Sequence, residues 1–102
     1  MGLMEPTLND PIDRFVDIVG EDQVFTLDNI RVLSVTTREY GTGEMVVMKV
    51  REHKNELGIW GAYLLAQAKA VKPDDLGKQY KIVRKLVPGF SSRPVKAFEF
   101  VA

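Results

Sequence analysis

From Val24 onward the chain is a succession of short runs rich in β-branched and aromatic residues, separated by turn residues. Val24-Phe25-Thr26-Leu27 and Ile30 through Thr37 are interrupted by Asp28-Asn29, which predicts either one long strand with a bulge or a turn before a strand. Tyr40-Gly41-Thr42-Gly43 reads as the turn that follows. Met45 to Arg51 is a second strand; Met48 and Val50 alternate with Lys49 and Arg51, one face buried and one wet. The polar loop Lys54-Asn55-Glu56-Leu57-Gly58 leads to a short third strand, Gly58-Ile59-Trp60-Gly61. At Ala62 the period changes. Leu64, Leu65, Ala68 and Val71 form a helical stripe, Lys69 and Lys72 fall in its last turn, and Pro73 stops it. Gln79 to Val87 and Val95 to Val101 are two final strands, joined by Pro88-Gly89-Phe90-Ser91-Ser92-Arg93-Pro94.

Ahead of these strands the pattern is helical. Asp10 fits an N-cap, Pro11 the first helical position, and Asp13 the positive end of the dipole. Ile12, Phe15, Val16 and Val19 then share one apolar face, and Gly20 is placed to end the helix. The expectation is an acidic N-terminal segment with a short helix, residues 1–23, followed by one β-rich domain, 24–102. The order of the latter, β-β-β-α-β-β, is that of a five-stranded Greek-key barrel of the oligonucleotide/oligosaccharide-binding (OB) kind, all-β apart from two short helices.

Thr36-Thr37-Arg38-Glu39-Tyr40-Gly41, Ile59-Trp60 and Leu64-Leu65 resemble, respectively, the first-strand exit, third strand and following helix of small single-stranded-DNA-binding OB proteins of the phage and plasmid type. The resemblance covers Val24 to Val101. It implies a cytoplasmic accessory to DNA replication or recombination, without catalysis, that binds single strands with little sequence preference.

Charge changes the picture through its placement. The 102 residues balance to zero, yet residues 1–30 hold seven acids and Arg14 alone, whereas residues 31–102 hold thirteen bases and seven acids. From Lys78 to Lys96 there are six bases and no acid, an asymmetry that points to nucleic acid or another anionic surface. The competing reading is an ordinary solvated surface.

An OB site for single strands needs cations for phosphates and rings on which bases stack. The candidates are Arg38 and Tyr40 at the first loop, Lys49 and Arg51 on the second strand, and Trp60 on the third. Lys81, Arg84, Lys85 and Lys96 on the last strands, with Phe90 and Arg93 between them, complete the set. If Val46, Met48 and Val50 face the core, then Met45, Val47, Lys49 and Arg51 face the ligand. Trp60 either stacks on a base or plugs the barrel. Phe90 is a stacking platform, a partner anchor or a flap over the barrel mouth, and the last-strand bases either track phosphates or keep edge strands soluble.

Other chemistries find less support. The absence of cysteine removes disulfides, thiolate catalysis and cysteine-held zinc, and it fits a reducing compartment. His53 is the sole histidine and reads as a surface residue, and the pairs Asp13/Asp17 and Asp74/Asp75 read as surface charge. Gly41-Thr42-Gly43 lacks the lysine of a phosphate loop. The opening residues show no basic, apolar leader pattern, and no apolar run approaches the ~20 residues of a membrane span. The chain is therefore expected to be a cytoplasmic, non-enzymatic protein without metal or cofactor. Its expected partner is single-stranded DNA or RNA, and the alternative is a protein-interaction module or assembly subunit, with a protein or a second copy docking on the same β-surface or on the acidic N-terminal helix.

Overall fold

The computed structural model describes residues 11–39 and 41–102. One six-stranded sheet organises them, with neighbours in the order β1-β4-β3-β2-β5-β6. The strands are β1 (Ile12–Arg14), β2 (Phe25–Thr37), β3 (Gly41–Val50), β4 (Glu56–Ile59), β5 (Lys78–Lys85) and β6 (Val95–Phe100). Two helices accompany them, α1 (Phe15–Ile18) and α2 (Ala62–Lys69), with a 3-10 turn at Pro73–Asp75. β1 is parallel to β4, and every other pairing is antiparallel. No helix among the described residues is long and apolar enough to cross a membrane.

β2 is the strand on which the sheet turns, and of the two readings of Asp28-Asn29 the single bulged strand is the one found. Leu27 pairs with Val50 and Asn29 with Lys49, which leaves Asp28 as the extra residue. Beyond the bulge β2 pairs only with β3; before it, Phe25–Leu27 pair with Lys78–Tyr80 of β5. Side chains hold the bend. Glu52 accepts from the Thr26 N–H at 2.8 Å and from its hydroxyl at 2.7 Å, and Arg51 grips Asp28 at 2.8 Å. Burial pushes the Glu52 carboxyl up, but these two bonds, with the Glu52 backbone N–H and the charge of Arg51, together outweigh it and hold the carboxyl below its usual value.

The core lies where the bent sheet wraps α2. Phe25, Met48, Val50, Leu57, Ile59, Leu64 and Ile82 are all buried there, α2 packing on β6, β2 and β3. The helical stripe divides as its spacing requires, Leu64 and Ala68 buried and Leu65 and Val71 half-buried.

A closed five-stranded barrel is not formed. β4 has only four residues, and its outer edge is taken by β1 instead of β6. The free edge of β6 is met by a side chain: the Gln67 amide donates to the Phe98 carbonyl at 3.2 Å and accepts from its N–H at 2.8 Å. Both backbone groups that would bond a closing strand at Phe98 are thus satisfied by a side chain of α2.

The expected N-terminal helix is also corrected. Asp10 lies outside the described residues; Ile12 to Arg14 are extended along β4, and the helix is the single turn Phe15–Ile18. Contacts distant in sequence override the local helical pattern. Asp13 accepts hydrogen bonds from His53 at 2.8 Å and from Asn55 at 3.1 Å, pinning the extended backbone, and both bonds, His53's first, lower the Asp13 carboxyl. His53 is accordingly a half-buried partner of Asp13 and not a free surface residue, and Asp13 sits on a strand, away from Asp17. Of the predicted apolar face only Phe15 is fully buried, edge-on to Phe25 with centroids 5.4 Å apart, while Val16 is exposed. Gly20 does end the turn, at φ +86, its N–H reaching the Phe15 carbonyl.

Candidate nucleic-acid interface

The end of β4, the start of α2 and the β5–β6 loop meet at one place. Trp60 follows directly on β4, and its ring lies against Gly43 of β3, where a Cβ would come to 3.4 Å from it. Packed on one side only, the indole keeps 49% of its surface in solvent, so it neither plugs the core nor stands free. Tyr63 is three residues on, within the first turn of α2, and lines the same trough as Trp60. The loop folds on itself through bonds from the Phe90 and Ser91 N–H groups to the Val87 carbonyl, and the Ser91 hydroxyl accepts from the Arg93 N–H. This geometry delivers the Phe90 ring edge-on to Tyr63, with centroids 5.1 Å apart.

Arg84 and Lys96 stand opposite each other on β5 and β6 at the base of this loop. With Trp60, Tyr63, Phe90, Pro94 and Val95 they wall a trough of about 310 Å³. Lys96 donates to the Trp60 carbonyl at 3.0 Å, so its ammonium ties β6 to the end of β4 across the gap where a closed barrel would have paired them. Arg84 is held through Nε by both carboxylate oxygens of Glu21 at 3.1 Å, and its terminal nitrogens make no further hydrogen bond among the described residues.

Of the residues expected at the site, the structure thus brings Trp60, Arg84, Phe90 and Lys96 together. Lys85 and Arg93 are exposed nearby, on the last residue of β5 and in the loop, and make no ion pair among the described residues. Lys81 points to the opposite face of β5 from Arg84 and pairs with Glu99 at 3.7 Å. Arg38 is exposed in the turn between β2 and β3, and Tyr40 lies outside the described residues. Lys49 and Arg51 belong elsewhere: Lys49 is six residues along β3 from Gly43, roughly 20 Å at the rise of a strand. Its ammonium is spent on the carbonyls of Val50 and His53, and Arg51 on Asp28.

The expected ligand face of β3 needs revision too. Val47 is fully buried, as are Val46, Met48 and Val50, while Met45 and Lys49 are half-buried. Val47 pairs with Arg31 on β2, and the Arg31 guanidinium grips Glu56 with two bonds of 2.8 and 3.0 Å. That pair lies on the Val47 side of the sheet, raising the affinity of Arg31 for its proton and lowering that of Glu56.

Three features were not anticipated from the sequence. Tyr63 carried one local signal, an aromatic in the first turn of the predicted helix, close in sequence to Trp60. The Glu21–Arg84 and Asp13–His53 contacts, 63 and 40 residues apart, carried none. Among the described residues no group of three or more His, Cys, Asp or Glu is placed to hold a metal ion. The chain was compared with protein-family models, with curated protein sequences and with solved structures, and none of them matches it.

Proposed function

We propose that the protein binds single-stranded nucleic acid, with little sequence preference and without catalysis, in the trough between Trp60 and Phe90. The observation that carries this reading is the convergence of three aromatic rings with Arg84 and Lys96 in one open trough. Every base has a face that stacks, and every nucleotide a phosphate that a cation can hold, so rings beside guanidinium and ammonium groups suit a strand of any sequence.

Strand order supports the same reading. Apart from β1, the neighbours run β4-β3-β2-β5-β6 with α2 between β4 and β5, the arrangement of an OB barrel left open between its third and fifth strands. The β5–β6 loop that carries Phe90 is then the loop between the fourth and fifth barrel strands, one of the two that OB proteins use for binding. Single-stranded DNA is the form of the ligand we favour.

One observation favours a second reading, a protein-docking module. Arg51, Lys81 and Arg84 already have carboxylate partners, whereas Trp60, Leu86 and Phe90 expose apolar surface together with Phe100. Fluorescence anisotropy of a labelled dT oligomer separates the two. The nucleic-acid reading expects saturable binding that Trp60→Ala and Phe90→Ala each weaken, and the docking reading expects none at any salt concentration.

A further inference from the structure

β1 and the residue before it border two clefts. At its start, Pro11 borders a cleft of about 560 Å³ whose other walls include Arg31, Lys49, Lys54 and Asn55. Toward its end, Ile12 and Arg14 border a second cleft, of about 280 Å³, with Met45, Gly58 and Trp60. The second cleft shares Trp60 and Lys96 with the aromatic trough. Between Pro11 of the first cleft and Arg14 of the second stands Ile12. It rests on Gly58 beside Met45, so closely that a Cβ on Gly58 would come within 3.1 Å of Ile12 Cγ2 and 2.9 Å of Met45 Sδ.

We propose that β1 is a displaceable strap, and that a single strand longer than the trough lifts it and binds along the whole face, from Phe90 past Trp60, over Met45 and Gly58, to Lys49 and Lys54. This inference rests on the nucleic-acid reading of the trough and extends it.

Three observations carry it. Among the described residues β1 is held at the sheet's edge by three residues of pairing with β4, by the packing of Ile12 on Gly58 and Met45, and by the bonds from His53 and Asn55 to Asp13. Directly after it, Phe15 is fully buried in the core, so the strap can leave while the chain stays anchored at a fixed point. Finally, the far cleft is net basic, Arg31, Lys49 and Lys54 against Glu56, which suits a phosphate backbone. The span gained along β3 is roughly 20 Å. At about 3.4 Å per stacked nucleotide that accommodates about six more.

The register provides the test. Ile12 and Glu56 are Cα partners on adjacent strands, a spacing that a disulfide can bridge, and the chain has no other cysteine to interfere. In the Ile12→Cys/Glu56→Cys variant, oxidation locks the strap and reduction frees it. Oligo-dT of about four and about twelve nucleotides are titrated against both forms. The expected result is equal affinity of both forms for the short oligomer and roughly tenfold tighter binding of the long one by the reduced form. In a second variant, His53→Ala, loss of the bond to Asp13 is expected to tighten long-oligomer binding while leaving the short one unchanged. Equal affinities of the locked and freed forms for both lengths overturn the strap while leaving the trough as the site. Failure of the unaltered chain to bind either oligomer overturns the nucleic-acid reading and the strap with it.

Discussion

Phe90 is the ring whose removal separates binding from folding most cleanly. It keeps 46% of its surface exposed, so truncation to Ala forfeits about half of the burial energy of a phenylalanine, on the order of 1 kcal/mol. The edge-on contact with Tyr63 adds about 0.5–1 kcal/mol. The loop's own bonds run from the Phe90 and Ser91 N–H groups to Val87 and from the Arg93 N–H to Ser91, all independent of the ring, so the backbone conformation is retained. A total of about 1–2 kcal/mol lowers the thermal midpoint of a domain this size by about 5–10 °C, which leaves the variant folded at 25 °C. If a base stacks on the ring, affinity for a dT oligomer falls by about 1–3 kcal/mol, roughly 5- to 150-fold. Differential scanning fluorimetry and anisotropy titration on the same preparation read both quantities. Unchanged affinity on a folded variant would show that the ring packs on Tyr63 and does nothing else. A stability loss of about 3–5 kcal/mol would show that it belongs to the core.

Further outcomes follow from the same geometry. Trp60→Ala is expected to weaken single-strand binding by about 1–3 kcal/mol while costing less stability than a core aromatic, because half of the indole is in solvent; a loss of about 3–5 kcal/mol in urea unfolding would contradict this. Phe15→Ala, by contrast, removes a fully buried ring and its contact with Phe25 and should destabilise by about 3–5 kcal/mol, measured in urea; a cost below about 1 kcal/mol would show that the N-terminal segment is not part of the core. The carboxyls of Asp13, Glu52 and Glu56 are all depressed in the folded state, so the stability they contribute is fully present above their ordinary values of 3.8 and 4.5 and is lost as pH falls below them. Thermal midpoints measured from pH 7 to pH 3 should therefore fall at the acid end, and Glu52→Gln should flatten that fall; the same acid slope in the variant would exclude Glu52 as a contributor.

What was legible in the sequence was what adjacent residues decide. The alternation Met48–Lys49–Val50, the interruption at Asp28-Asn29 and the helical stripe of Leu64, Leu65, Ala68 and Val71 all depend on neighbours within a few positions, and each is found where its pattern placed it, the interruption as a bulge. Ile12–Arg14 was illegible because Asp-Pro followed by a spaced apolar face satisfies every local rule for a helix start, while the deciding contacts come from His53, Asn55 and the edge of β4. Barrel closure failed for a related reason: nothing near Gln67 in sequence announces that its amide will cap Phe98. At the site, the cation-rich last strands were visible but their partners were not. Glu21 holds Arg84 and Asp28 holds Arg51, so the charge imbalance between the two parts of the chain is partly cancelled in three dimensions.

The central claim, that the trough beside Trp60 takes a single strand, is tested most directly by the protein's own fluorescence. Trp60 is the sole tryptophan, so every change in indole emission reports on that trough. Titration with oligo-dT at 50 mM and at 200 mM salt should quench the emission saturably, with affinity falling as salt rises. Two to three phosphates held by Arg84, Lys96 and the neighbouring Arg93 predict a log–log slope of about −2, at about 0.7 per contact on single strands. Emission that does not respond to the oligomer at either salt concentration would contradict the account.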